Sequence, residues 1–421
     1  MHKLITQLLL FLLMVPGLLA AAPPSGLPLA EAGDAGIASA NLHQMSDLLQ
    51  QHIDDGLVAG VVAGVARHGK VVYLESKGWQ DIDNQQAMQD SSIFQIRSMS
   101  KAITAVAALQ LVEQGKLALS DPVSKYIPRF GYMFVLINPD EPFLSAERKP
   151  TREITIEDLL LNTAGLSHRT SPLYQQRRVR SRGDNLSQLS NKVAGVPLIG
   201  DPGEQFLYSI SLTIVGRIVE IVSGQMFDEY LQENVFDPLD MADTGFYVPD
   251  NKLDRLARAY QAPVEDQSLT LTEPMDIPIT QNPPLLEGAA GMVSTIGDYF
   301  RFMQALLNGG ELDGARILSA DSTQQMLTNH LPESLLPIGF NPNALLPGIG
   351  WGYGIGVVVD EDQTSFGANN GEFGWTGSLG TLSWADPESQ TITIFMVQIN
   401  RAGARGLRDN FKSLVHSGIS N

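Results

Sequence analysis

Hydrophobic and polar positions change period several times along the chain, and each change marks an element. Between Asn41 and Ile53, Leu42, Met45, Leu48, Leu49 and His52 recur at helical intervals, which predicts an amphipathic helix. Two β-rich runs then flank His68-Gly69 in GVVAGVARHGKVVYLESKGW (residues 60–79), which predicts a hairpin. FQIRSMSKAITAVAAL (residues 94–109) opens on an arginine, two serines and a lysine, then turns apolar from Ala102 to Leu109 except at Thr104. That pattern predicts a buried helix with a polar head. Residues 152–290 carry helix signals, loops and prolines without a strand ladder; ISLTIVGRIVEIVSG (210–224) is the strongest helix, ended by Gly224. Towards the C-terminus, WGYGIGVVVD (351–360) reads as a strand. LGTLSWADPESQTITIFMVQIN (379–400) reads as a hairpin turning at Asp386-Pro387, and ARGLRDNFKSLVHSG (404–418) as a helix. The glycines at 348, 350, 352, 354 and 356 never complete G-x-G-x-x-G and read as one strand face without side chains.

Strands at both ends and helices in the middle predict an α+β fold. One antiparallel sheet built from both chain ends is flanked by the terminal helices and carries a mostly helical inserted lobe. The expected organisation is a signal peptide over residues 1–22, a small-residue linker over 23–40 and a single catalytic unit over 41–421. Within that unit the α/β lobe takes about 41–125 and 290–421, and the helical lobe about 126–289.

Composition narrows the function. The chain has 421 residues, 43% hydrophobic and 18% charged, which suits a large core rather than disorder. With 28 basic and 46 acidic residues the formal charge is −18, which disfavours nucleic acid and anionic membrane surfaces as partners. There is no cysteine, so disulfides, thiolate metal sites and a cysteine nucleophile are excluded. MHKLITQLLLFLLMVPGLLAAA has a basic start at Lys3, an apolar run from Leu8 to Val15, a break at Pro16-Gly17 and small residues at 20–22. This is a secretory signal pattern, and a periplasmic or secreted location is expected. An uncleaved anchor is the alternative, with a run well short of the ~20 residues that span a bilayer.

The polar head at residues 97–101 carries the chemistry. Ser98 and Lys101 are three apart and share a helix face; Ser100 and Lys101 are adjacent and diverge. A serine hydroxyl needs a neighbouring base, and a lysine serves as one only when its pKa falls from ~10.4 towards ~7–8. Burial in an apolar helix and the positive end of the helix dipole both push it that way. A bare S-x-x-K is a weak signal, equally compatible with a helix-capping serine and a solvated lysine.

Two further stretches change the odds. PGEQFLYSI (202–210) sets Tyr208 just before a helix, and GWTGSLGTLSW (374–384) sets a glycine-flanked segment at the start of a strand. In this order the chain resembles the serine β-lactamase-like superfamily of class C β-lactamases, D-alanyl-D-alanine peptidases and family VIII carboxylesterases, with S-x-x-K, then Y-x-N or Y-S-x, then K-T-G or a variant. The resemblance covers about residues 42–417. It implies Ser98 as acylating nucleophile, Lys101 as its base and Tyr208 as a proton relay. It also implies an oxyanion hole from the backbone N–H groups of Ser98 and Ser378, and substrate binding along Trp375, Thr376 and Gly377.

Departures from the family pattern bear on specificity. The cation that usually opens the third motif is Trp375 here, and the asparagine of Y-x-N is Ile210. Both losses remove groups that hold a β-lactam, and YSI with W-T-G looks most like family VIII carboxylesterases. Trp375 either lines a site for a neutral acyl or alkoxy group or packs into the sheet edge. Asn162, where many relatives have histidine, has no assigned role. His168 is read as a surface residue in preference to a cleft residue. The arginines at 177, 178, 180 and 182 are read as a solvated or locally paired loop in preference to a substrate-attracting rim. No G-x-S-x-G and no H-E-x-x-H occurs, so an ordinary Ser-His-Asp hydrolase is disfavoured and no metal or cofactor is expected. The expected activity is an exported carboxylesterase acting on a small-molecule ester or amide, with no stable membrane partner. A β-lactamase or D-amino-acid peptidase is the first alternative, and a non-catalytic binding homologue the second.

Overall fold

The computed structural model describes residues 23–30, 36–181, 183–261, 268–272, 278–341, 343–400 and 403–419. The expected signal peptide and Arg182 lie outside them. One eight-stranded sheet organises the rest. Its strands are β1 (Gly60–Arg67), β2 (Lys70–Asp81), β3 (Gln86–Ala87), β4 (Ile349–Trp351), β5 (Gly356–Val358), β6 (Phe373–Thr376), β7 (Leu382–Asp386) and β8 (Thr391–Val397). They run in the order β4-β5-β6-β7-β8-β1-β2-β3, with every neighbouring pair antiparallel. The sheet closes at its centre by pairing β1 with β8, Val61 opposite Val397 through Arg67 opposite Thr391.

The sequence explains the local geometry. The β1–β2 turn has both central residues at positive φ, His68 at 49° and Gly69 at 76°. That is the twist a two-residue hairpin needs. Every residue of β8, TITIFMV, is buried, because both faces of the sheet are covered. On one face α1 (Ser39–Asp54) packs beside the C-terminal helix Gly403–Gly418, whose Phe411 meets Phe395 and Tyr73 at ring distances of 5.6 and 5.8 Å. On the other lies the helix Ile296–Leu307, with Phe300 seated over Gly64. The stretch from Pro23, read as a linker, packs where it is described: Leu27 is buried, and Leu29 bridges to Val71.

Residues 351–360 are not one strand. The chain turns between β4 and β5, with Gly354 at φ 73°, so the alternating glycines do not form a single face. Close approach explains two of them. A Cβ on Gly354 would come 2.8 Å from the Ala105 methyl carbon, and one on Gly356 would come 2.7 Å from the indole of Trp375. That turn rests on α2 (Ser100–Glu113), which is buried from Ser100 to Leu111. The inserted lobe adds α3 (Ile156–Leu161) and the helix Ser211–Ser223, which packs on α2 and ends at Gly224 with φ 77°.

Candidate active site

Ser98 sits in a single 3₁₀ turn, Arg97–Met99, that runs directly into α2. Residues three apart eclipse in such a turn, so the i,i+3 relation to Lys101 survives although Ser98 precedes the α-helix proper. Arg97 has φ 51°, a left-handed conformation that arginine adopts only when its surroundings impose it. Lys101 Nζ lies 3.4 Å from Ser98 Oγ and donates to the Ala289 carbonyl at 2.8 Å. Ser100 points elsewhere: it is fully buried, and its Oγ accepts from Met292 N at 3.2 Å. Thr104, the polar exception in the apolar run, donates to the Gly288 carbonyl at 2.8 Å. Ala289 N donates to Thr213 Oγ1 at 3.3 Å. The EGAAG segment is thereby held between two helices, and its carbonyl aims the lysine. Burial, reinforced by the charge of Arg169 and opposed by Glu287, holds the Lys101 ammonium well below the ordinary lysine range.

Tyr208 is brought to the same place through Asn162. That residue ends α3 in the left-handed region at φ 57°. Its carbonyl accepts from Leu207 N at 2.8 Å and its Oδ1 from Ser209 N at 3.2 Å, so Asn162 clamps the residues on either side of Tyr208. The Tyr208 ring lies 4.4 Å from Lys101 Nζ. Its hydroxyl accepts from Trp375 Nε1 at 2.8 Å. Burial pushes the phenol above its usual value, while hydrogen bonds with Ser98 and Trp375 pull the other way.

The third motif forms the end of β6 and the turn after it. Trp375 is 5% exposed and packed edge-on to Trp351 at 4.5 Å, and it also lines the cavity. In the turn, Gly377 N donates to Thr381 O at 2.8 Å and Gly380 N to Gly377 O at 3.0 Å. A Cβ on Gly377 would lie 2.6 Å from the Ile96 carbonyl, so this turn presses on the backbone just before Ser98. Ser378, exposed at its tip, lines the same cavity as Ser98.

That cavity measures about 760 Å³ and brings together Ser98, Lys101, Tyr208, Trp375, Thr376, Gly377 and Ser378. It also contains residues that the sequence did not point to. His168 lines it, contrary to the surface reading; it stacks on Tyr208 at 6.4 Å, and burial, then the charges of Arg169 and Lys101, lower its pKa to about 4. Arg169 and Glu287 line it as well. Arg180 reaches in to hold Glu287, Nε to Oε1 at 2.7 Å, whereas Arg177 and Arg178 are exposed and do not line the cavity. Burial pulls the Glu287 carboxyl up, but the charges and hydrogen bonds of Arg180, Arg169 and Arg97 outweigh it, and the group stays below its usual value.

Known proteins are similar to this chain in sequence and fold. The family model described as Beta-lactamase matches residues 45–415. Protein Rv1367c of Mycobacterium tuberculosis (strain ATCC 25618 / H37Rv) is 32% identical over 364 residues, 85% of this chain and 90% of that protein. Esterase EstB of Burkholderia gladioli is 27% identical over 387 residues, 85% and 89% of the two chains. Among solved structures, EstCE1, described as a hydrolase with promiscuous acyltransferase activity, superposes with a TM-score of 0.77 at 26% identity, covering 90% of this chain and 99% of its own. This chain therefore belongs to the beta-lactamase family, as a serine hydrolase of that fold with esterases among its relatives.

Proposed function

We propose that the protein is an exported carboxylesterase that cleaves short-chain esters through an acyl-enzyme on Ser98. The observation that carries this reading is the buried Lys101 amine, 3.4 Å from a serine hydroxyl that opens onto a 760 Å³ cavity. With one N–H on the Ala289 carbonyl, the neutral amine has a lone pair for the Ser98 proton. Ser98 Oγ attacks the ester carbonyl, and the oxyanion is met by the N–H groups of Ser98 and Ser378. The carbon–oxygen bond to the alcohol breaks, and the alcohol leaves with a proton passed through Tyr208. Water then attacks the acyl carbonyl, the bond to Ser98 Oγ breaks, the carboxylic acid leaves and Ser98 regains its proton. Opposite shifts divide the roles: the depressed lysine is the base, and the raised phenol stays protonated and relays. The apolar run and small residues of positions 1–22 support export.

An indole and an isoleucine at positions 375 and 210 support esters over β-lactams, because neither pairs with a β-lactam's carboxylate or side-chain amide. Parallel kinetics on p-nitrophenyl butyrate, a chromogenic cephalosporin and a D-Ala-D-Ala peptide test this. The ester is expected to have the highest kcat/KM by at least about tenfold, the value of one charge-assisted hydrogen bond. Equal or faster cephalosporin turnover would favour the β-lactamase reading.

Trp375 also acts on the relay. Trp375→Phe keeps an aromatic ring and removes the N–H that fixes the Tyr208 hydroxyl. One such bond contributes ~0.5–1.5 kcal/mol, so kcat is expected to fall roughly two- to tenfold. Steady-state kinetics in which Trp375→Phe matches wild type would show that the indole N–H does not position Tyr208.

A further inference from the structure

The carbonyl that takes the Lys101 amine belongs to a short irregular segment, residues 287–292, that is tied at both ends. At the far end, Met292 O accepts from Ile96 N at 3.1 Å and Met292 N donates to Ser100 Oγ at 3.2 Å. Those partners flank the turn that carries Ser98. In the middle, Gly288 O accepts from Thr104 and Ala289 N donates to Thr213. A Cβ on Gly288 would come 2.8 Å from both the Leu212 carbonyl oxygen and Thr104 Oγ1, so the segment has no slack there. Glu287 O accepts from Ala290 N at 3.0 Å and Gly291 N at 2.7 Å, which folds the chain into a turn around Ala289. The near end is tied by a side chain. The Glu287 carboxylate, 4% exposed, is held at both oxygens by Arg180, Nε to Oε1 at 2.7 Å and a terminal nitrogen to Oε2 at 2.8 Å. A buried ion pair adds little net stability over an apolar pair, and its best-attested use is to fix register. This one joins residues 107 apart in sequence, two positions before the carbonyl on which the lysine depends.

We propose that Glu287, clamped by Arg180, is a positioning residue for the general base: it sets the register of residues 287–292 and thereby the place of the Lys101 amine beside Ser98. This rests on the carboxylesterase reading and adds a residue to its machinery. A slip along the segment would carry the Ala289 carbonyl away from Nζ, and the amine would lose the contact that aims it at Ser98 Oγ. The carboxylate also acts through its charge. The charged and titratable groups around Glu287 and Lys101, among the described residues, are Arg97, His168, Arg169, Arg180, Tyr208 and Arg408. At neutral pH the four arginines are protonated, and His168, lowered to about 4, and Tyr208, raised, are neutral. Glu287 is held ionised by its arginines, and it favours the Lys101 ammonium, against burial and Arg169. The rising limb of the pH profile therefore follows Lys101 and is sensitive to Glu287.

The test is Glu287→Gln, which keeps the side chain's size and an oxygen for Arg180 while removing the charge. Kinetics on p-nitrophenyl butyrate and the rate of fluorophosphonate labelling at Ser98 are measured against pH. Plateau kcat is expected to fall roughly ten- to a hundredfold with KM nearly unchanged, the cost of a misplaced catalytic group. The limb should move to lower pH by roughly one unit, because an ammonium that loses a neighbouring anion gives up its proton more readily. Glu287→Asp keeps the charge but draws it back by one methylene, so its limb should stay near the wild-type pH while kcat falls less. In Glu287→Gln, a fall in kcat with an unmoved limb would show a merely structural role. A moved limb with wild-type kcat would show a remote charge, and a raised KM with kcat intact would make Glu287 a substrate contact. Each of these overturns the assignment. Should Glu287→Gln not fold, Glu287→Asp decides: lowered kcat with the limb in place supports the proposal, and wild-type kcat overturns it. Wild type that hydrolyses the ester and labels at Ser98, beside an unaltered Glu287→Gln, sinks only the Glu287 assignment. Wild type that does neither sinks the esterase reading with it.

Discussion

Lys101→Met should lower kcat/KM on p-nitrophenyl butyrate by ~10²–10⁴-fold, the usual cost of losing a general base, with the protein still folded. Methionine fills the volume of the buried lysine stem and removes the amine that faces Ser98 Oγ and the Ala289 carbonyl. Tyr208→Phe should fall in the same range, because it removes the hydroxyl that links Ser98 to Trp375. The pH profile separates the two groups. The active form of Lys101 is the free amine, and burial disfavours the ammonium, so activity rises with pH through a limb placed well below the ordinary lysine value of 10.5. The Tyr208 phenol is shifted upward, so it adds no descending limb at moderately alkaline pH. Measured kcat/KM against pH should show the rising limb in wild type and not in the residual activity of Lys101→Met. A variant that keeps more than about a tenth of wild-type turnover rejects lysine as the base.

Ser98→Ala should have the largest effect of any single change, since no acyl-enzyme can form without the hydroxyl. Loss of the nucleophile in a serine hydrolase costs on the order of 10⁶ in kcat, leaving what binding and the oxyanion donors supply. Ser100→Ala should leave labelling at Ser98 intact, because Ser100 is fully buried and its hydroxyl is taken by Met292 N. Burst kinetics with p-nitrophenyl butyrate check both: a burst from Ser100→Ala and none from Ser98→Ala. A burst that survives Ser98→Ala places the nucleophile elsewhere.

What was legible in the sequence follows a physical divide. Short-range patterns translated directly. His68-Gly69 turned where a positive-φ pair was required, Gly224 ended its helix, and Ser98 met Lys101 because their separation of three is preserved from a 3₁₀ turn into an α-helix. Features set by distant contacts did not translate. The glycines of residues 348–356 looked like a strand face, yet Gly354 and Gly356 answer to the close approach of Ala105 and Trp375. His168 looked like a surface residue because its burial comes from Tyr208, forty positions along the chain. Glu287 carried no local signal, since its partner Arg180 is 107 residues away. Asn162 had no assigned role because its clamp on residues 207–209 exists only once α3 and the following loop have folded together. The departures at Trp375 and Ile210 were visible from the motif, but the indole's hydrogen bond to Tyr208 was not.

The most direct test of the central claim is the site of covalent labelling. Wild-type protein treated with a fluorophosphonate, digested and read by tandem mass spectrometry should carry a single active-site adduct on Ser98. Its rate of formation should rise with pH along the same limb as ester hydrolysis, because the same Lys101 amine takes the proton. An adduct on Ser100, or labelling that persists in Ser98→Ala, would contradict the account.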